Sequence, residues 1–120
     1  MQLIQAFIRN ERLQDVQTAL EAVGVRSYTV SATIGSGARH TGDAEDHNSL
    51  RQNLKFEVAV GDWQESQVVN VIRKAAGNDA EAEGIILVLP ISRAVKIRSG
   101  VEGEAHSGRP KFGRPPTCDP

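Results

Sequence analysis

The chain lacks a strong charge of either sign, a disulfide pair, a usable set of aromatics and any long apolar run. Each shortage removes a class of function. A formal net charge of −1 at pH 7 supplies neither the broad basic field that non-specific nucleic-acid binding draws on nor an acidic tail. The single cysteine, Cys118, cannot close an intrachain disulfide. With no helix start or basic cluster nearby to lower its pKa, it reads as an exposed thiol rather than a nucleophile. The N-terminal MQLIQAFIRN has neither the basic segment nor the apolar run of a secretory signal, so a reducing, cytoplasmic setting is expected. The longest apolar run, Ile85 to Leu89, falls far short of the roughly 20 residues of a membrane helix, and a soluble protein is expected. The KFEV segment has the look of an RNA-recognition strand, but its aromatic, Phe56, and the other candidate, Phe7, alternate onto opposite faces of their strands. They do not form a stacking platform.

What is present suits one domain: 120 residues and 13.0 kDa are enough for a proper core and too few for two. Residues 2–9, QLIQAFIR, alternate as a strand. Asn10 is placed to cap a helix from about Glu11 to Val23, on the stripe Leu13, Val16, Ala19, Leu20 and Val23, with Gly24 closing it. SYTVSATI is a second strand with Tyr28, Val30, Ala32 and Ile34 on its buried side. A polar stretch from Ser36 to about Gln52 follows, too long for an ordinary hairpin turn. NLKFEVAV is a third strand, with Leu54, Phe56, Val58 and Val60 facing inward. Asp62 and Glu65 have capping-box spacing ahead of a helix carrying Val68, Val69, Ile72, Ala75 and Ala76, which Gly77 ends. IILVLP is expected to be a short buried strand, and RAVKIRSG a last strand with Lys96 and Arg98 on one side. The Gly- and Pro-rich residues 101–120 are expected to form a mobile tail.

Two strand-helix-strand units joined at the 36–52 loop predict a ferredoxin-like α+β sandwich over residues 1–100, a four-stranded antiparallel sheet with two helices on one face. The uncovered face would carry Leu3, Gln5, Phe7, Thr29, Ser31, Lys55, Glu57 and Ala59. That mixture is too apolar for plain solvent surface and predicts contact with another subunit.

Several stretches carry chemistry alongside a plainer reading. Gly35-Ser36-Gly37 can turn backbone amides toward an anion, or simply serve as a flexible exit from a strand. Lys96 and Arg98 can clamp a phosphate, or be solvated edge charges that discourage aggregation. Arg39, His40, Asp43, Glu45, Asp46 and His47 include metal-binding residue types without the spacing of a known ligand set, so a solvated loop also accounts for them. Ser, His and Asp occur without the order or setting of a hydrolase, and no catalytic residue is assigned.

The segments MQLIQAFIR, LQDVQTALEAVGV, YTVSATIGSGAR, LKFEVAV and AVKIRSG together resemble the PII signal-transduction family over most of residues 1–101. The resemblance implies a homotrimer of ferredoxin-like subunits that is a regulator and not an enzyme. It implies adenine nucleotides in clefts between subunits and a protein target reached through residues 36–52, the T-loop of that family. It places Thr29 and Glu57 near the nucleotide base, Gly35, Ser36 and Gly37 at the loop base, and Arg98 on the phosphates. Lys96 stands where the family has arginine, which keeps charge but loses the bidentate fork. Arg39 is displaced by one position from the family's arginine. The second glycine loop reads Ala82-Glu83-Gly84-Ile85, keeping Gly84 but losing the phosphate-binding lysine.

With one cation gone and another weakened, the cleft should favour ADP or AMP over ATP. The loop also has no tyrosine for nucleotidylation, since the only one is Tyr28. These departures resemble the PII-like branch of carboxysome-associated and bicarbonate-transporter-associated proteins, which implies bicarbonate as a further ligand and a link to inorganic carbon. The other reading on this fold is a trimeric metal-binding or metal-tolerance protein using His40, Asp43 and His47.

Overall fold

In the computed structural model, residues 1–36, 50–77 and 84–103 are described. Strand β1 is Gln2–Ile8, helix α1 is Leu13–Ala22, β2 is Thr29–Gly35, β3 is Arg51–Val60, helix α2 is Glu65–Ala76 and β4 is Ile85–Pro90. The strands form one sheet in the order β2-β3-β1-β4, and every neighbouring pair is antiparallel. This is the ferredoxin-like arrangement that the two repeated units predict.

Alternation in β1 and β3 sends Ile4, Ala6 and Ile8, with Phe56, Val58 and Val60, to one side, where all six are buried. Val16 and Leu20 of α1 and Val68 and Ile72 of α2 close over them, and Val25 completes the core. The Tyr28 ring packs against Phe56 at 5.5 Å between centroids, tilted by 40°. Val25 apart, these are the inward residues that periodicity selects. The stripe fails along β2, where Ala32, level with the end of β1, and Ile34, on the part of the β2–β3 ribbon that runs past β1, are exposed.

Helix ends differ from expectation at their starts and agree at their stops. Asn10 caps nothing: it opens a 3₁₀ turn, Asn10–Arg12, which leads into α1. Asp62 likewise begins a 3₁₀ turn, Asp62–Gln64, and makes no side-chain cap to α2. Its carboxylate instead accepts hydrogen bonds from the N-terminal ammonium at 2.6 Å and from Gln2 Nε2 at 3.1 Å. These bonds, the ammonium's first, hold its pKa below the ordinary carboxylate value. At the other end of α1, Gly24 takes φ +86°. Its N–H donates to the Glu21 carbonyl and that of Val25 to the Leu20 carbonyl, each at 3.0 Å, a Schellman closure. Gly77, at φ +112°, ends α2.

Three boundaries are corrected. Arg51 and Gln52 belong to β3 and pair with Gly35 and Ile34, which shortens the loop expected at 36–52. The IILVLP strand is an edge, not a buried strand: it pairs only with β1, and Ile85, Leu87, Val88 and Leu89 are exposed. RAVKIRSG is not a strand. Val95 alone bridges to Glu102, and residues 97–99 form a turn, so Val101 to Gly103 belong to a hairpin rather than to a tail.

Candidate functional site

The uncovered sheet face is built in rows that the register sets. Leu89, Leu3 and Ala59 lie side by side, as do Leu87, Gln5, Glu57 and Thr29, and then Ile85, Phe7, Lys55 and Ser31. The expected open-face residues are all here. Ile85, Leu87 and Leu89 of β4 join them and make the face more apolar than the other three strands alone would.

Thr29 and Glu57, the two residues expected near a nucleotide base, are direct cross-strand partners. Both line an open groove of about 600 Å³ with Leu3, Arg26, Ser27, Tyr28 and Ala59. Glu57 Oε2 accepts a hydrogen bond from Gln5 Nε2 at 2.9 Å and lies 3.9 Å from Lys55 Nζ. The carboxylate is thus held in place on the groove wall by two neighbours from the same face. Arg26 and Ser27 were not legible as site residues in the sequence. They reach the groove only because the connection from Val25 to β2 passes its edge, which no local pattern announces.

The remaining candidates sit elsewhere. Gly35 is an ordinary strand residue paired with Arg51, it lacks the positive φ that a nest at this position would need, and an added Cβ there would meet nothing. Ser36 follows it, exposed. Gly37, Arg39, His40, Asp43 and His47 lie outside the described residues, as do Ala82 and Glu83. Among the described residues, no group of three His, Cys, Asp or Glu side chains could hold a metal ion. Gly84 has a structural duty: at φ +130°, a Cβ there would run into the Phe7 carbonyl oxygen, so only glycine lets β4 start against β1. Lys96 and Arg98 are exposed at and beside the hairpin turn instead of sharing a strand face. Near them Arg93 Nη2 donates to Glu102 Oε2 at 3.0 Å, and that hydrogen bond, with Glu102's charge, raises the guanidinium pKa.

These positions fall into two groups. Gly35 and Gly84 lie toward the end of the sheet where β2 stops and β4 begins, on opposite edges. The Thr29–Glu57 groove lies lower on the sheet, and Lys96 and Arg98 lie beyond the far end of β4. At about 3.3 Å per strand residue, Thr29 and Gly35 are separated by roughly 20 Å, and so are Gly84 and Pro90. Two sheet edges three strands apart differ by a further ~14 Å.

Fold and groove define a ferredoxin-like α+β domain with an exposed apolar sheet face and a ligand-sized groove along it. The profile of the family described as Nitrogen regulatory protein P-II matches residues 1–101. The chain belongs to the P-II nitrogen regulatory protein family, and is a regulatory protein rather than an enzyme. It is similar to the nitrogen regulatory protein GlnK of Escherichia coli K12, with 32% identity over 88% of this chain and 98% of that one. It is similar to GlnK2 of Haloferax mediterranei, with 32% identity over 86% of this chain and 88% of that one. The P-II homolog of Arabidopsis thaliana is 34% identical over 84% of this chain, which spans 55% of that protein's length. A crystal structure of Arabidopsis thaliana PII bound to citrate superposes with a TM-score of 0.74 at 32% identity, covering 88% of this chain and 91% of that one. No helix among the described residues is long and apolar enough to cross a membrane.

Proposed function

We propose that the protein senses adenine nucleotides between the subunits of a homotrimer and reports their state to a protein target through residues 36–52. The observation that carries this reading is the separation of the candidate residues. Thr29 and Glu57, with the hairpin bearing Lys96 and Arg98, lie toward one end of the sheet, Gly35 and Ser36 lie at the other, and Gly84 lies between these levels on the opposite edge from Gly35. Thr29 and Gly35 are roughly 20 Å apart along one strand, and a cleft to which two copies each supply half accounts for that separation. The apolar rows on the open face supply a reason for copies to associate.

The second part of the reading is that ADP and AMP bind better than ATP. Ile85, which takes the lysine's place, is apolar, half-exposed and directly beside Phe7 on the open face. A neutral, apolar pair there offers nothing to the added charge of a third phosphate. Bicarbonate, as a small anion near Ser36, Gly37 and Arg39, and a role in inorganic-carbon metabolism complete the proposal. Its support is the loop's lack of tyrosine and the altered second glycine loop.

Calorimetry with ATP, ADP and AMP, each with and without bicarbonate and 2-oxoglutarate, tests the reading. ADP and AMP are expected to bind at least as tightly as ATP, with bicarbonate altering at least one of them. ATP binding about tenfold tighter than both would overturn the phosphate preference, and no binding of any of the three would overturn the nucleotide site.

A further inference from the structure

After β4 the Ile91 N–H donates to the Met1 carbonyl at 3.0 Å. Residues 93–103 then close on themselves. The Lys96 N–H donates to the Val101 carbonyl and the Gly100 N–H to the Lys96 carbonyl, both at 2.8 Å, and the Gly103 N–H donates to the Ala94 carbonyl at 3.2 Å. Val95 bridges Glu102, the Val101 N–H is held by Ser99 Oγ at 3.2 Å, and Gly100 turns the chain at φ +73°. The tip is bare: Ile97 is fully exposed, at 102%. Across the hairpin, Arg93 Nη2 donates to Glu102 Oε2 at 3.0 Å.

We propose that Arg93 and Glu102 are positioning residues: their ion pair latches this hairpin and so sets where Lys96 and Arg98 meet the phosphates of a bound nucleotide. The inference rests on the nucleotide reading above and adds residues that would not touch the ligand. A short two-stranded hairpin is marginally stable in water, so a small cross-strand contribution changes the fraction of time the turn is formed. Two cations on a formed turn bind an anion without the ordering cost that a frayed segment meets at the moment of binding. An exposed ion pair has a modest effect, here about two- to fivefold in affinity. Gly100 has the larger one, because a β-branched residue is strained at its positive φ and would open the turn.

The test is ADP calorimetry on the full chain and on Arg93→Ala, Glu102→Gln, the swap Arg93→Glu with Glu102→Arg, and Gly100→Val. Assembly state and thermal stability are followed in parallel, with amide exchange at Lys96 and Gly100. The single ion-pair variants are expected to lose about two- to fivefold in affinity, with faster exchange at both amides and unchanged assembly. The swap is expected to restore affinity to within about twofold, as a reversed but intact pair. Gly100→Val is expected to lose more than either single variant. Wild-type affinity in both single variants, or a swap whose loss is the sum of the singles, would overturn the positioning role while leaving the nucleotide site standing. A wild-type chain that binds neither ADP nor AMP removes the nucleotide reading itself and this inference with it. If Gly100→Val does not fold, the swap decides the matter alone.

Discussion

Two glycines at the residue scale show how one backbone conformation can carry different weight. Gly24 and Gly84 both have positive φ, but an added Cβ meets nothing at Gly24 and strikes the Phe7 carbonyl at Gly84. Gly24→Ala should therefore cost only the strain of a left-handed alanine, about 1 kcal/mol. Gly84→Ala adds a backbone collision and should cost at least about 2 kcal/mol while loosening β4 from β1. Denaturant unfolding of the two variants checks the order, and equal losses would show that the Phe7 contact relaxes cheaply. Gly24 was legible in the sequence because a helix stripe ends just before it. The duty of Gly84 was not, since it comes from a strand some eighty residues earlier in the chain.

Among the elements, the start of β1 and the turn into α2 are tied by one carboxylate. The spacing of Asp62 and Glu65 resembles a capping box, yet Asp62 accepts from the N-terminal ammonium and Gln2. A chain terminus carries no pattern that would announce such a contact, which is why the cap was the natural expectation. The Asp62 pKa is lowered in the fold, so its contribution is present above the unfolded carboxylate value of about 3.9 and is lost as pH falls through the lower folded value. Asp62→Asn is therefore expected to be less stable than the native chain at neutral pH, with the gap shrinking below about pH 4. Thermal melts at pH 7 and pH 3 measure it, and a gap independent of pH would mean that the charge is irrelevant. Arg12 makes a comparable long-range contact. Its guanidinium lies against Gly77 at the end of α2, where a cation suits the helix dipole.

For the whole molecule, the exposed β4 edge and the open face dominate. The hydropathy of IILVLP suits a buried strand, whereas in a single chain Ile85, Leu87, Val88 and Leu89 are exposed. Leu87 lies in the row with Gln5, Glu57 and Thr29, half-exposed. Leu87→Glu is accordingly expected to weaken self-association without unfolding the subunit. Light scattering coupled to size exclusion, with far-ultraviolet circular dichroism, separates the two effects; unchanged mass at low protein concentration would remove this face from the interface. The sequence by itself determined the order of the four strands and two helices, the inward residues of β1, β3 and the helices, and the open-face residues of the first three strands. All of these follow from periods of two and 3.6 residues that any short window displays. Only the tertiary structure decided which strands became edges, that Thr29 and Glu57 meet across one groove, and that the other candidates lie at opposite ends of the sheet. Strand order and register arise from pairings between distant segments, and a local period says which side a residue faces without saying what lies beside it.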